Sequence, residues 1–156
     1  MILIGIGENI DKNAVFESTL KIFREFSNMP KIEVALAHYE NGKPYVNGQE
    51  AVKVSVSHSG KYIVIALSNN EVGVDIQEKK EIDFQKISER YGFNATNKEE
   101  FYKKFTLAEA YAKTTSEGLP KSLKQADNIN GTTYHFIKDY TLSVVGEGSK
   151  YFIVID

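Results

Sequence analysis

The chain has 156 residues, no cysteine and a formal net charge of −2 at neutral pH. This length allows one domain or two small lobes, the charge gives no large basic field for nucleic acid, and the lack of cysteine excludes disulfides and thiolate metal sites. The apolar run at the start is too short for a signal peptide, and no stretch approaches the roughly 20 apolar residues of a membrane span. We therefore expect a soluble, cytoplasmic protein with no nucleic-acid or membrane partner.

The first half of the sequence predicts one helix among several strands. Residues 2–6 form an apolar run typical of a buried strand, and Asp11 is a candidate N-cap for a helix over residues 14–26. Alternating apolar and polar or β-branched residues predict further strands at 32–38, 52–58, 62–67 and 72–76. We expect the last three to form a meander, with His58 at one end and Asp75 at the other edge.

The second half predicts two helices followed by strands. A short helix over residues 83–91 begins at an aspartate, and a longer helix begins after Asn97 and runs to about Ser116. Gly118 and Pro120 are typical residues beyond a helix C-terminus. The remaining strands are predicted near 134–137, at 141–145 and at 151–155.

A short repeat indicates how these elements are organised. Residues 4–7 and 72–75 share a glycine between apolar residues, and each opens a strand–helix–strand succession. Because strands and helices are segregated along the chain, the α+β class is favoured. We expect two small, similar lobes, residues 1–70 and 71–156, joined in a single compact unit with antiparallel strands packed on helices.

Asp75 is the most unusual residue of the predicted strands. A carboxylate within an apolar strand is unfavourable by both strand propensity and burial, which favours a functional role over a turn. Gln77 lies two residues further on and therefore shares its face of the strand. Its amide oxygen could bind a metal without adding charge, although a solvent-facing glutamine is the simpler interpretation.

The long helix carries the second group of candidate residues. Glu109 and Lys113 stand one helical turn apart, a spacing that also suits a surface ion pair. Small residues nearby would let this helix approach another element closely: Ala108, Ala110 and Ala112. If the helix packs on the strand of Asp75, the two carboxylates converge beside a lysine. Such a group can hold a divalent cation over a phosphate.

Residues 57–60, with the sequence SHSG, lie at a predicted strand end. Neighbouring strand residues point to opposite faces, so Ser57 and His58 are not placed to act as a nucleophile and base. Hydroxyl and imidazole groups at a strand end suit phosphate binding better, and a structural histidine is the alternative. Lys43 stands on a predicted turn and could also contact a phosphate, although surface lysines on turns are common.

Four segments, in this order, resemble the 4′-phosphopantetheinyl transferases of the surfactin-synthetase-activating type. They are GKPY at 42–45, SVSHSG at 55–60, VGVDIQ at 72–77 and FTLAEAYAKTTSEGL at 105–119. The resemblance covers about residues 42–119 and weakens towards 145. It implies a pseudo-dimeric fold and the transfer of phosphopantetheine from coenzyme A to a serine of an apo acyl or peptidyl carrier protein, which releases adenosine 3′,5′-bisphosphate. Such reactions serve fatty acid, polyketide or nonribosomal peptide biosynthesis.

The resemblance also implies roles for the site residues. Asp75 and Glu109 would hold Mg²⁺, or Mn²⁺ as an alternative, with Gln77 or a water as a further ligand. Glu109 would accept the proton of the carrier serine. Lys113 would neutralise the pyrophosphate and stabilise the leaving group.

By the same resemblance, the nucleotide end of coenzyme A is assigned to other residues. Ser57 and His58 would bind the 3′-phosphoadenosine, with Lys43 nearby. Further basic residues that could grip the nucleotide are Lys21, Arg24 and Lys31, although a solvated helix face explains each one singly.

The sequence departs from the family pattern at two positions, and its N-terminal half is shorter than in the usual two-lobed members. Gln77 replaces a glutamate and Ala108 replaces a lysine, and both changes remove charge. The alternative function is therefore a weakened or inactive relative that binds coenzyme A or a carrier protein. On this basis we expect Ala108→Lys to tighten coenzyme A binding. At the start of the chain, Asn9 stands where trimeric relatives have an aspartate, which favours a monomer.

Overall fold

The computed structural model describes residues 1–115 and 123–156. The first sheet has the strand order β4-β5-β1-β9, in which β1 pairs antiparallel with β5 and parallel with β9. The bounds of these strands are β1 Ile2–Glu8, β4 Lys53–Ser59, β5 Tyr62–Ser68 and β9 Lys150–Ile155. The first strand of the chain therefore lies at the centre of this sheet.

A second sheet has the order β6-β8-β7, and a separate hairpin joins β2 to β3. The bounds of these strands are β2 Ala35–His38, β3 Pro44–Asn47, β6 Val72–Glu78, β7 Thr132–Tyr134 and β8 Tyr140–Gly146. The helices are α1 Lys12–Ser27, α2 Phe84–Tyr91 and α3 Lys98–Thr114, with a short 3₁₀ turn at Ala126–Asn128. The predicted α+β class is confirmed.

Side-chain caps explain where each helix begins. The Asp11 carboxylate accepts the amide of Asn13 at 3.0 Å, Asp83 accepts that of Lys86, and Asn97 accepts that of Glu100 at 2.8 Å. Each cap satisfies an amide that the first turn of a helix leaves without a partner. The three predicted helix starts are confirmed, whereas the predicted stop signals at residues 116, 118 and 120 lie outside the described residues.

Two apolar layers hold the sheets and helices together. The apolar face of α1 packs against one face of the first sheet, where Phe16, Phe23 and Ile65 are among the buried residues. The other face of that sheet packs against the second sheet, with Ile4 and Val74 fully buried between them. Helix α3 covers the outer face of the second sheet.

The predicted meander of three strands is wrong at its third strand. The β4–β5 hairpin is confirmed, but β6 pairs antiparallel with β8 instead of with β5. Both edges of β5 are already occupied, by β4 and β1, so no backbone groups remain there for β6. The chain after β5 therefore crosses to the second sheet.

Three further strands differ from expectation. Strand β2 covers only the last part of the predicted 32–38, the strand predicted near 134–137 lies at Thr132–Tyr134, and β3 was missed. The two strands of the β2–β3 hairpin are four residues each, which gives alternation little length in which to appear. Residue 70 lies between the strands of the first sheet and those of the second, apart from β9, which belongs to the first; the division into two lobes stays a prediction.

Among the described residues, the structure shows no helix with the length and apolar character needed to cross a bilayer.

Candidate active site

Helix α3 touches strand β6 at a glycine. A Cβ atom at Gly73 would lie 1.8 Å from the carbonyl oxygen of Ala110 and 3.0 Å from Cγ2 of Thr114. Only glycine permits this approach, because a helix backbone cannot yield to a side chain as another side chain could. Ala110 is fully buried, so the close contact predicted from the alanines is confirmed. The contact brings Glu109, the residue before Ala110, to the strand that carries Asp75.

Asp75 is buried at the middle of β6, with only 3% of its surface exposed. Its Oδ1 accepts the Ser57 hydroxyl at 3.2 Å and lies 3.6 Å from Lys113 Nζ. Burial raises the pKa of Asp75 to about 7; Lys113 opposes this rise, and the negative charge of Glu109 adds to it. The positive charge of Lys113 therefore does not fully offset the free-energy cost of burying the ionised carboxylate.

Glu109 is half-buried, and burial also raises the pKa of its carboxyl, against the effect of Lys113. The negative charge of Glu109 helps to raise the pKa of Asp75, and the contact of α3 with β6 at Gly73 brings together the elements that carry the two residues. The Lys113 ammonium forms its ion pair with Asp75 on β6. Lys113 is therefore more than the surface ion-pair partner of Glu109 that the helical spacing allowed.

Lys113 joins strands from the two sheets. Its Nζ donates to the carbonyl of Val74 in β6 at 2.8 Å and to that of Val56 in β4 at 3.0 Å. These two bonds use two of the three donors of the ammonium group, whereas the contact with Asp75 at 3.6 Å is an ion pair. About a third of the side chain (32%) remains exposed, so its charge reaches the surface beside the site.

A cleft of about 360 Å³ opens beside Lys113. Its walls include the β2–β3 turn, residues 41–44, together with Val56 of β4 and the end of α3. Lys43 and Lys113 both line it, and Lys43 Nζ lies 3.9 Å from Glu71 Oε2, a long contact at the surface. Two lysines on one cleft suit an anionic ligand.

Strand β4 places Ser57 and His58 on opposite faces. Ser57 is buried against β6, whereas His58 is exposed on the face that also carries Val56. The expectation that these two residues do not act as a pair is confirmed. In the part of the chain that the structure describes, neither residue lines the cleft beside Lys113.

A row of serines satisfies the free edge of β6. The hydroxyl oxygens of Ser55, Ser57 and Ser59 accept the amides of residues 74, 76 and 78 at 3.1, 2.9 and 2.9 Å. These bonds replace the partner strand that an edge strand lacks. Sequence reasoning missed this row, although polar residues at every second position of an otherwise apolar strand were the available signal.

Gln77 contacts Asp75 directly. Its Nε2 donates to Asp75 Oδ2 at 3.2 Å, with Oδ1 at 3.5 Å. The amide acts here as a hydrogen-bond donor to the carboxylate, a part that the glutamate of the family pattern could not play when ionised. Its role as a metal ligand through the oxygen stays a prediction.

The floor of the site contains hydroxyl groups that sequence reasoning missed. Ser143 lies opposite Asp75 in the β6–β8 pair. Its Oγ lies 2.6 Å from Oγ1 of Thr106 on α3 and 2.8 Å from Oγ1 of Thr133 on β7. These bonds fix α3 over the second sheet at the level of Asp75.

Ala108 faces the core of the protein. It is fully buried in a cluster that includes Phe93 and Phe101, on the side of α3 that packs towards α2. The structure contradicts the premise of the expectation that Ala108→Lys tightens coenzyme A binding, because a lysine here would enter an apolar cluster. The alanine at this position therefore removes no charge from the site around Asp75.

The other basic candidates lie together on α1 and on the segment that follows it. Lys21, Arg24 and Lys31 line a cleft of about 400 Å³ with Glu17. One hydrogen-bond donor of Arg24 is already used, because its guanidinium donates to the carbonyl of Ile32. The structure brings these three residues together, and their role towards a nucleotide stays a prediction.

The donor set at Asp75 fits Mg²⁺. The described residues contain no group of three or more histidines and carboxylates that could enclose a metal. Mg²⁺ does not need such a cage, because it is commonly held by one or two carboxylates together with waters and substrate phosphates. Asp75 and Glu109 supply two such oxygen donors, and the burial of Asp75 leaves a charge that a cation would offset.

No protein-family model matches the chain. It is 31% identical over 103 residues to the 4′-phosphopantetheinyl transferase gsp of Aneurinibacillus migulanus, a match of 59% of this chain and 42% of that protein. It is 30% identical over 114 residues to psf-1 of Bacillus pumilus, covering 65% and 48%, and 26% identical over 102 residues to Sfp of Bacillus subtilis strain 168, covering 58% and 45%. Both of these proteins also carry the name 4′-phosphopantetheinyl transferase. The chain spans about half the length of the curated relatives that it matches.

Proposed function

We propose that this chain, a member of the 4′-phosphopantetheinyl transferase superfamily by its curated relatives, transfers phosphopantetheine from coenzyme A to a serine of an apo carrier protein. The superfamily predicted from the four sequence segments is confirmed by these relatives. Their shared name supports phosphopantetheinyl transfer in general. The donor, the acceptor and the metal are our proposal.

One observation carries the proposal: the Gly73 contact joins two carboxylates and a lysine in one site. Asp75 comes from β6, whereas Glu109 and Lys113 come from α3, and the ammonium lies 3.6 Å from Asp75 Oδ1. A phosphoryl transferase needs such a group, because its protein mainly positions the phosphates and neutralises their charge.

We assign the metal to Asp75 and Glu109, with Gln77 or a water at a further position. Mg²⁺ is the expected ion and Mn²⁺ the alternative, since both accept oxygen ligands. When bound, the ion would spread the negative charge of the pyrophosphate.

Glu109 is the proposed base. Burial raises the pKa of its carboxyl, which makes it a better proton acceptor than an exposed glutamate. The carrier serine oxygen would attack the phosphorus that bears the pantetheine arm, and its proton would pass to Glu109. The bond from that phosphorus to the oxygen of adenosine 3′,5′-bisphosphate would break at the same centre, and the bisphosphate would leave.

Lys113 and Lys43 are the proposed contacts of the phosphates. Both line the cleft beside the site, and the Lys113 charge is held there by the carbonyls of Val56 and Val74. Its position next to Asp75 suits it to neutralise the pyrophosphate and the departing bisphosphate. His58 is exposed and is our candidate for the 3′-phosphoadenosine end.

We also propose that the fold is the two-lobed, pseudo-dimeric one. The support is a shared packing detail: a Cβ atom at Gly5 would lie 1.9 Å from Thr19 Oγ1 on α1, just as one at Gly73 would meet α3. Each sheet thus has a glycine that lets a helix approach closely. A monomeric state and a cytoplasmic location stay predictions.

The test is transfer to a carrier protein. The protein is incubated with coenzyme A, Mg²⁺ and several apo acyl and peptidyl carriers, and each carrier is weighed intact by mass spectrometry. We expect a carrier to gain the mass of one phosphopantetheine. No gain on any carrier, with the protein folded, would refute the transferase and leave a binding protein.

The role of Glu109 is tested by Glu109→Gln in the same assay. The matched control is Glu99→Gln on the same helix, because Glu99 is exposed and its ion pair with Lys79 lies at the surface. We expect transfer to be lost in the first variant and kept in the second. Equal rates in wild type and Glu109→Gln would contradict the assignment of the base.

A further inference from the structure

We infer that Ser57 is a positioning residue that fixes the Asp75 carboxylate, and that it does not contact the nucleotide. This inference rests on the proposed function, because it concerns how the transferase site is held. It replaces the role that the family resemblance implies for this serine. The observations that carry it are the burial of Ser57 and the direction of its hydrogen bonds.

The hydroxyl of Ser57 is fully committed within the protein. Its oxygen accepts the amide of Ile76 at 2.9 Å, and its single proton is donated to Asp75 Oδ1 at 3.2 Å. A serine has only one proton to donate, so none remains for a phosphate. The side chain is also buried, with 6% of its surface exposed.

The bond to Asp75 is particular to this serine. Ser55 and Ser59 accept the amides of Val74 and Glu78 in the same way, at 3.1 and 2.9 Å, which is enough to satisfy the edge of β6. Only Ser57, among the three described serines of this row, also donates to a carboxylate. The shared bond is structural, and the additional one belongs to the site.

The contacts of the two Asp75 carboxylate oxygens differ. Oδ1 of Asp75 receives Ser57 and lies near Lys113, whereas Oδ2 receives the Gln77 amide. Ser57 and Lys113 therefore hold Asp75 from the β4 side. Because Oδ1 already has the Ser57 hydroxyl and the Lys113 ammonium as neighbours, Oδ2 is the oxygen that we expect to meet a cation.

The test compares Ser57→Ala with Ser59→Ala. Both variants lose one bond to the edge of β6, each of 2.9 Å, but only the first loses a donor to Asp75. Mn²⁺ is titrated into each protein alone, and transfer kinetics are measured against coenzyme A concentration. For Ser57→Ala we expect Mn²⁺ affinity to fall by roughly 10-fold, as for other groups that orient a metal ligand, and kcat to fall with KM for coenzyme A unchanged. Ser59→Ala should bind Mn²⁺ as wild type does.

A nucleotide contact would give the opposite result. If Ser57 bound the 3′-phosphoadenosine, Ser57→Ala would raise KM for coenzyme A and leave Mn²⁺ affinity intact, which would overturn the inference. A crystal structure of the wild-type protein soaked with adenosine 3′,5′-bisphosphate gives a test that needs no variant to fold. We expect the Ser57 hydroxyl to stay on Asp75, and a turn towards the phosphate would also overturn the inference. If the wild-type protein transfers nothing, the proposed function fails, whereas this structure still decides the role of Ser57.

Discussion

Replacing Asp75 with asparagine should make the protein more stable at alkaline pH while abolishing transfer. Asparagine has the same shape and keeps an acceptor for Ser57, but it cannot ionise. Burial raises the pKa of Asp75 from 3.8 to about 7, so the folded protein holds this proton more tightly than the unfolded chain does. The stabilisation by the neutral carboxyl is therefore complete below pH 3.8 and is lost as the pH rises through about 7.

The size of the effect follows from the difference between the two pKa values. A difference of about 3 units corresponds to roughly 4 kcal/mol in total, of which about 3 kcal/mol falls between pH 5 and pH 8. The free energy of unfolding is measured by urea denaturation at both pH values, with a chelator present. We expect wild type to lose about this much more stability than Asp75→Asn over this range.

An equal loss in the two proteins would refute the reasoning, because it would show that the buried charge of Asp75 costs nothing. Glu99→Gln serves as the control, since it also removes one carboxylate but at a position that is 61% exposed. Adding Mg²⁺ at pH 8 gives a second check. If Asp75 binds the cation, Mg²⁺ should restore stability to wild type and not to Asp75→Asn.

Three other substitutions test the packing around the site. Gly73→Ala should lower the free energy of unfolding by at least about 1–3 kcal/mol, weaken Mn²⁺ binding and abolish transfer. Gly5→Ala should destabilise the packing of α1 without weakening Mn²⁺ binding. Equal Mn²⁺ binding in the two variants would contradict the role of the Gly73 contact in the site. Lys113→Met should slow transfer by roughly 100-fold or more, and an unchanged rate in the carrier assay would remove Lys113 from the site. Ala108→Lys should lower the unfolding free energy by roughly 3 kcal/mol or more without tightening coenzyme A binding, and tighter binding by calorimetry would show that this lysine reaches the phosphates.

The site was predictable from the sequence to the extent that its signals are local. Asp75 stands out because a carboxylate is rare within an apolar strand, and the spacing of Glu109 and Lys113 places both on one side of a helix. The order of the four segments then predicted the superfamily whose name the curated relatives carry. What these residues contact within the fold was not contained in that spacing.

The direction in which polar side chains point was decided by packing. Ser57 was predicted to face a nucleotide, but β4 turns it towards the edge of β6, where it meets Asp75. Ala108 was interpreted as a lost charge, but α3 is rotated so that this position faces an aromatic cluster. A helix or strand pattern gives the relative faces of its residues and leaves open which face meets the ligand.

Local sequence patterns were enough to predict the helix starts, through Asp11, Asp83 and Asn97, and most of the long strands, through alternation within seven or fewer residues. These signals are local because a cap or a strand face is defined by near neighbours. Those patterns did not predict that β6 leaves β5 to pair with β8, or that its free edge is satisfied by the serines of β4 and by Lys113. Such choices depend on which backbone groups elsewhere are already paired, and that is a property of the whole fold.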